Sequence, residues 1–153
     1  EVVSIDASAP ALEAAVRNMA HNEHIPAVAA ASHEIVADDA FEALDRMAKR
    51  GRRFDVVIVD PPAFAQKQSQ VPQALSAYER LTRLSLGVLR PGGTLVQASC
   101  SSRVDAETFF AAIHRAAVQA GQLLREIERA RHPLDHPVTF KEGAYLKCLF
   151  ATA

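Results

Sequence analysis

The chain has 153 residues, of which 49% are hydrophobic and 23% charged, and its formal net charge at pH 7 is -1. This balance is typical of a globular domain, and the near-zero charge argues against a protein that coats nucleic acid by bulk electrostatics. Aliphatic runs such as that at residues 56–59 are far too short to cross a bilayer, which excludes a membrane span, and two cysteines exclude a disulfide scaffold and indicate a reducing, cytoplasmic setting.

Apolar runs that end in acidic residues alternate with amphipathic stretches. The elements expected in chain order are a strand at 2–5, a helix capped by Ser8, a strand at 34–37, a helix at 41–50, a strand at 55–60, a helix at 73–89, a tight turn at 91–93, a strand at 94–99, a helix at 104–120 with Ser102 and Asp105 as a capping box, and strands at 123–128 and 145–151. Four β-branched residues in succession at 56–59 predict a strand covered on both faces.

Strands and helices alternating at this spacing predict an α/β fold with a doubly wound, mostly parallel sheet, to which the last two strands add an antiparallel edge. Ligands of such folds bind beyond the carboxyl ends of the strands. Polar groups recur at those positions, namely Asp6, Asp38-Asp39, Asp60-Pro61-Pro62 and Ser99-Cys100-Ser101. The sequence therefore predicts a site at this edge of the sheet.

The acids at the first two strand ends suit a nucleoside. One carboxylate, from Asp6, can accept both ribose hydroxyls, and a second, from Asp38 or Asp39, can accept from an adenine amino group. The structural alternative is that an aspartate at a strand end forms a turn or caps a helix. Spacing alone leaves both interpretations open.

The segment Asp60-Pro61-Pro62-Ala63-Phe64 follows the strand at 55–60. Two prolines fix its backbone, so that a carboxylate and carbonyl groups are presented without reorganisation. The aromatic ring of Phe64 suits stacking on a planar base. Otherwise the prolines would only start a rigid loop, and Phe64 would belong to the core.

Cys100 stands between serines at the end of the next strand. Neighbouring tips of a parallel sheet are close enough for Asp60 and Cys100 to face one substrate. A thiolate is the stronger nucleophile, and the helix N-terminus expected at Ser102–Asp105 would favour it. The alternative, a small buried hydrophobe, is the interpretation given to Cys148. The cysteines and six histidines show no metal-ligand spacing.

These motifs, in this order, resemble a class I S-adenosylmethionine-dependent methyltransferase. More narrowly, they resemble the large-subunit ribosomal RNA cytosine-5 methyltransferases that carry an amino-terminal PUA domain. The segments that carry the resemblance are Asp6, Asp38-Asp39, Asp60–Phe64, Pro91–Leu95, Ser99–Ser101, Asp135–Val138 and Glu142–Lys147. The resemblance implies a Rossmann-like fold, S-adenosylmethionine as cofactor, a 23S-type RNA partner and a cytoplasmic location, and it leaves a homodimer open.

The resemblance also implies a role for each candidate residue. Asp6 would hold the donor's ribose, and Asp39, with Asp38, its adenine. Asp60 and Pro61 would lie between donor and target base, and Cys100 would be the nucleophile. Pro62, Phe64 and Lys67 would contact the RNA, with Lys67 at the mouth of the site.

The chain departs from the family pattern in one respect. No Gly-x-Gly pair occurs, and residues 1–153 are interpreted as a catalytic domain without its Gly-rich donor loop, first strand and amino-terminal RNA-binding domain. In the class I order 3-2-1-4-5-7-6 the first strand is central, so its absence would leave the second and fourth strands without their shared neighbour. We therefore expect weak donor binding by this chain, and micromolar binding in isothermal titration would refute that.

Three other functions fit parts of the sequence. Amino methylation of adenine or cytosine uses an Asp-Pro-Pro-aromatic segment, although here Ala63 holds the fourth position. Guanine N7 methylation, like amino methylation, needs no cysteine. A non-catalytic RNA-binding or dimerisation module would need neither the nucleophile nor the donor.

Overall fold

The apolar runs form strands and the amphipathic stretches form helices in the computed structural model, which describes residues 1–140 and 143–153. Two compact units are present, Glu1–Met47 and Ala48–Ala153. The strands are β1 (Val2–Asp6), β2 (His33–Ala37), β3 (Phe54–Val59), β4 (Leu89–Ser99), β5 (Arg125–Ala130) and β6 (Lys147–Thr152). The helices are α1 (Ala9–His21), α2 (Pro26–Ala29), α3 (Ala40–Lys49), α4 (Val71–Val88) and α5 (Ala106–Gln119), with a 3-10 turn at Gln68–Gln70.

The first unit is built on two parallel strands, β1 and β2, with Asp6 paired to Ala37 at their carboxyl ends. Helix α1 begins after Ser8, whose hydroxyl oxygen accepts a hydrogen bond from the Ala11 amide at 3.4 Å, so the predicted cap is confirmed. The short helix α2 had no signal in the sequence. Of the thirteen residues of α1, only Leu12 is buried.

The second unit contains a four-stranded sheet in the order β3-β4-β6-β5. Strands β3 and β4 are parallel, and β6 is antiparallel to both β4 and β5, so the predicted antiparallel edge is confirmed. Helix α4 packs against β3, β4 and α5. The core includes fully buried Tyr78, Leu95, Phe109, Ile113 and Leu149.

The two sheets are separate in their hydrogen bonding. The assignment of residues 1–153 to one catalytic domain stays a prediction.

The prediction that the strand at 55–60 is covered on both faces is wrong. Val57 and Val59 are each 8% exposed, whereas Val56 is 53% and Ile58 71% exposed. The reason is the position of β3 at the edge of its sheet, where helices of the second unit cover one face only. A run of β-branched residues identifies a strand but does not say which neighbours it meets.

The turn expected at 91–93 lies inside a longer strand. Strand β4 begins at Leu89, and its pairing with β3 shifts register between Phe54 and Val56. Gly92 has a φ of +76°, and its amide donates to the Ala153 carbonyl at 2.6 Å. A β-carbon on Gly93 would lie 2.9 Å from the Asp55 carbonyl oxygen, so the two glycines permit a bulge that other residues would resist.

The helix expected over 104–120 begins later. Its cap is Asp105, whose carboxylate accepts from the Thr108 amide at 2.8 Å and from the Thr108 hydroxyl at 2.6 Å. Ser102 is exposed and does not take the capping position. Helix α5 thus begins six residues beyond Cys100, with Asp105 as its cap, and an effect of its dipole on the thiol stays a prediction.

Candidate functional site

Asp60 and Cys100 follow directly on two neighbouring parallel strands. Val59, the last residue of β3, pairs with Gln97, and β4 continues two residues further to Ser99. Asp60 is exposed and Cys100 is partly exposed. The expected adjacency of these two strand tips therefore holds, and the thiol is not enclosed in the core.

A buried hydrogen bond links the loops that follow these tips. The Ser101 hydroxyl donates to the Ala65 carbonyl at 2.9 Å. Ser101 is 0% and Ala65 3% exposed, so the bond is shielded from water. Because buried polar groups are costly to leave unpaired, this bond fixes the loop after Asp60 against the loop that carries Cys100.

Buried hydrogen bonds hold the backbone on either side of Cys100. Ser99 is buried, and its hydroxyl bonds the Tyr78 hydroxyl at 2.8 Å and accepts from the Ser101 amide at 3.2 Å. Burial raises the pKa of Tyr78, and the negative charge of a Cys100 thiolate acts in the same direction. Tyr78 was interpreted only as a core residue of its helix, so its polar role under the nucleophile was missed.

Cys148 lies on β6, where it pairs with Ala98 of β4. Burial raises the pKa of its thiol to about 11, with a further contribution from the negative charges of Asp60 and Glu128. A thiol with that pKa is neutral at pH 7 and is a weak nucleophile. Of the two cysteines, Cys100 is therefore the candidate for covalent chemistry.

Phe64 lies partly in the core. Its ring centroid is 5.0 Å from that of Tyr78 with the planes tilted by 50°, and the side chain is partly exposed. The two interpretations of Phe64 are thus not exclusive, since one part of the ring packs against the core while another reaches the surface.

Pro61 is partly exposed, and Pro62 and Lys67 are exposed. The amides of Gln66 and Lys67 donate to the Gln70 side-chain oxygen at 2.9 and 3.0 Å. Gln70, which sequence reasoning did not select, therefore orders the loop that presents the lysine.

The three acids of the first unit lie at the carboxyl ends of β1 and β2. The Asp38 amide donates to the Asp6 carbonyl at 3.1 Å, which joins the two strand ends. The Asp6 carboxylate accepts from the Ser8 amide at 2.7 Å through Oδ1 only.

Asp38 and Asp39 both have structural partners. Asp38 forms an ion pair with Arg46, and this hydrogen bond, with one from the Asp39 amide, lowers the pKa of the Asp38 carboxyl. Asp39 caps α3, because its Oδ1 accepts from the amides of Phe41 and Glu42 at 2.9 and 3.1 Å. The helix-cap alternative raised by the sequence is thus present at Asp39, and a ligand role there stays a prediction.

Lys147, noted in the sequence only as the end of the segment Glu142–Lys147, was not selected as a site residue. It is 4% exposed, although it opens β6 among apolar residues. Burial lowers the pKa of its ammonium, and negative charge at Cys100 and Asp105 opposes that effect. The available signal was a lysine inside an otherwise apolar strand.

Some expectations fall at the limits of the described structure. In the closing segment of the family pattern, Glu142 lies outside the described residues. Across residues 1–140 and 143–153, no group of three or more His, Cys, Asp or Glu side chains could hold a metal ion. Over the same ranges, each helix is too short or too polar to cross a bilayer.

Comparison with solved structures defines the class of fold. A candidate SAM-dependent methyltransferase from Streptococcus mutans matches 99% of this chain and 38% of its own, with a TM-score of 0.81 and 19% identity. A candidate methyltransferase solved in complex with SAH matches the same shares with a TM-score of 0.77 and 21% identity. The predicted Rossmann-like methyltransferase fold is therefore confirmed.

Sequence comparison gives more specific relatives. The chain is 41% identical over 150 residues to a ribosomal RNA large subunit methyltransferase of Deinococcus radiodurans, which covers 98% of this chain. It is 39% identical over 149 residues to ribosomal RNA large subunit methyltransferase I of Salmonella arizonae. The chain spans 36% of the length of each of these relatives. No protein-family profile matches it.

Proposed function

We propose that this chain forms part of the catalytic domain of an S-adenosylmethionine-dependent methyltransferase that acts on large-subunit ribosomal RNA, at C5 of a cytosine. The observation that carries the proposal is the partly exposed Cys100 on a loop bonded, through Ser101 and Ala65, to the loop that follows Asp60. The relatives named above, which match nearly the whole chain, support the choice of ribosomal RNA.

Carbon methylation of cytosine needs a nucleophile, because C5 of the ring does not react by itself. The Cys100 thiolate adds to C6 and forms a carbon–sulfur bond, and the electron pair of the C5–C6 double bond makes C5 nucleophilic. Asp60 favours this addition if it holds the ring nitrogen N3 protonated. Once C5 had taken the methyl group and the demethylated donor had left as a neutral thioether, loss of the C5 proton to a base would restore the double bond and expel the Cys100 thiolate.

The carboxylates of the first unit suit the methyl donor, which when bound supplies an electrophilic methyl group. Asp6 is exposed, its Oδ1 is fixed by the Ser8 amide, and its second oxygen takes no part in that bond. A carboxylate oriented in this way fits two ribose hydroxyls. Asp39, with Asp38, is the pair proposed for the adenine, and Pro61 with Asp60 would border the donor in the second unit.

Access to C5 and C6 requires a base that is unstacked from its neighbours. Pro62 and Phe64 offer apolar surface beside Asp60 for such a base, and exposed Lys67 offers a cation for a phosphate. A single-stranded or loop region of ribosomal RNA is therefore the substrate proposed.

The test uses the full-length protein, undermethylated ribosomal RNA and labelled donor, with the modified nucleotide mapped by mass spectrometry. We expect 5-methylcytosine, and C100S should lower transfer on the order of 10³-fold because the covalent route is lost. C148S, which removes a thiol that is neutral at pH 7, is the matched control and should stay within about twofold.

RNA that carries 5-fluorocytosine at the target should form a denaturation-resistant adduct with the wild-type protein and none with C100S. Fluorine at C5 cannot leave as a proton, so the carbon–sulfur bond persists. Full activity of C100S would overturn carbon methylation and favour methylation of an amino group or of guanine N7. No transfer by any form would favour a binding module.

A further inference from the structure

Lys147 is a buried cation whose donors are all used. Its Nζ donates to the Ser101 carbonyl at 2.5 Å, the Val104 carbonyl at 2.6 Å and the Tyr145 carbonyl at 3.2 Å. An ammonium carries three N–H donors, so three acceptors satisfy it. Lysine is rarely buried without such compensation, which indicates that the arrangement is specific.

Two of these carbonyls belong to the turn between β4 and α5, and Ser101 is next to Cys100. Ser101 is 0% and Val104 2% exposed, so neither residue is readily solvated in place of the bonds from Lys147. The ammonium therefore bridges both ends of the segment 101–104 from a different strand. Together with the bond from Ser101 to Ala65, it fixes the backbone that carries the thiol.

The lysine is itself anchored. The amides of Tyr145 and Leu146 donate to the Nε2 of His132 at 3.1 and 3.0 Å, and the rings of His132 and Tyr145 meet edge to face at 4.9 Å. These contacts set the backbone immediately before Lys147. The side chain is consequently directed at the turn by residues that lie outside it.

Charge couples Lys147 to the thiol as well. Burial lowers the pKa of the ammonium, and negative charge at Cys100 and Asp105 acts in the opposite direction. Negative charge near the segment 101–104 thus favours the charged form of the lysine that anchors this segment.

We infer that Lys147 is the positioning residue of Cys100: its ammonium fixes the segment 101–104 through the Ser101 and Val104 carbonyls and so holds the adjoining thiol in place. The use of this arrangement in methyl transfer rests on the proposed function. The reactivity of the thiol does not, because it can be measured without donor or RNA.

The test is alkylation of the full chain with iodoacetamide between pH 6 and 9, with each cysteine quantified by peptide mass spectrometry. We expect K147M to slow alkylation of Cys100 about tenfold at pH 7, because the segment 101–104 loses the bonds that hold the partly exposed thiol in place. K147R, which keeps the charge, should stay within about threefold of wild type. Cys148 serves as the internal reference.

T82V is the matched control for general loosening of the core. Thr82 is 0% exposed, and its hydroxyl contacts the Tyr78 carbonyl at 2.8 Å and the Gln97 side-chain oxygen at 2.9 Å, away from the segment 101–104. We expect T82V to lower stability and to leave the pH profile of Cys100 unchanged. An equal slowing in T82V would overturn the inference.

If K147M folds and its Cys100 reacts at the wild-type rate, the inference about Lys147 is also overturned. If K147M does not fold, K147Q decides, since a glutamine amide has two donors and cannot replace the three bonds made by the ammonium. Slowed alkylation in K147Q supports the role, and an unchanged rate contradicts it. If C100S methylates RNA normally while K147M still slows alkylation, the proposed function fails and the inference about the thiol stands.

Discussion

The carboxyl ends of two pairs of parallel strands carry the candidate residues, and they are built differently. At the ends of β1 and β2 the acids lie near the surface, where backbone amides donate to Asp6 and Asp39 and Arg46 pairs with Asp38. At the ends of β3 and β4, Cys100 stands between Ser99 and Ser101. Both serines are 0% exposed, and both are hydrogen-bonded to buried residues, Tyr78 and Ala65.

The same contrast appears in the packing of the two units. The buried apolar side chains of the first unit are Leu12, Ala43, Leu44 and Met47, and Val2, Val16, Ile25 and Ile35 are each more than 40% exposed. The second unit has a core of fully buried aromatic and aliphatic residues. The residues proposed to make and break bonds therefore lie on the unit that has the larger buried core. Such a core holds polar groups in fixed positions, as electrostatic preorganisation requires.

The largest expected effect is a loss of stability in the second unit, and it tests the difference between the two units directly. Phe109 is 0% exposed and meets Tyr78 edge to face at 5.0 Å, so F109A should lower the free energy of unfolding of the second unit by about 3–5 kcal/mol. Urea denaturation followed by tyrosine fluorescence measures this, because both tyrosines, Tyr78 and Tyr145, lie in that unit and the chain has no tryptophan.

The matched variant in the first unit is L12A, which removes a side chain that is 3% exposed. It should leave the tyrosine transition in place while it weakens the far-UV circular dichroism signal at low urea. A shift of the tyrosine transition as large as that of F109A would show that the two units unfold together, and the contrast in stability would fail.

A medium loss of stability is expected when the buried hydrogen bond between Tyr78 and Ser99 is removed. Y78F removes the buried hydroxyl that bonds Ser99 at 2.8 Å and should destabilise the second unit by about 1–2 kcal/mol. S4A is the counterpart in the first unit, where the Ser4 hydroxyl contacts Nε2 of His33 at 2.9 Å in a half-buried setting. The melting temperature of Y78F should be well below that of S4A. Equal losses of stability in the two variants would contradict the difference in burial between the two hydrogen bonds.

The smallest effect concerns charge at the surface of the second unit. Hydrogen bonds from Arg129, with burial opposing and His114 adding to them, lower the pKa of Glu126 from 4.5 to about 2. The stabilisation of the folded state by the Glu126 carboxylate is therefore complete above pH 4.5 and is lost as the pH falls towards 2. Because its side chain is 33% exposed, screening limits the contribution to less than about 1 kcal/mol.

E126Q should flatten the dependence of the free energy of unfolding on pH between 4.5 and 2. The control is E107Q, which removes a carboxylate 3.0 Å from Arg129 that is 76% exposed and should change little. An acid limb in E126Q as steep as that of wild type would show that other carboxyls produce it.

Local patterns predicted most of the elements. Strand β3, with its β-branched run at 56–59, and α1, with Ser8 as its cap, appear where the sequence places them. The boundaries were less well predicted. Helix α5 begins at Ala106 rather than at residue 104, because Asp105 caps it and Ser102 does not.

For the candidate site, spacing predicted the residues but not their surroundings. Asp60 and Cys100 were placed together because neighbouring parallel strands end at one edge of a sheet. The contribution of Lys147 could not be predicted, since it comes from a strand 47 residues further along the chain than Cys100 and depends on the antiparallel register of β4 and β6.

By itself, the sequence determined the alternation of strands and helices and the polar residues at the strand ends, because periodicity and short motifs act over a few residues. Only the tertiary structure decided which face of β3 is covered, which cysteine has a raised pKa and which cation lies beneath the nucleophile. Those properties depend on burial and on contacts between distant segments, which no local pattern encodes.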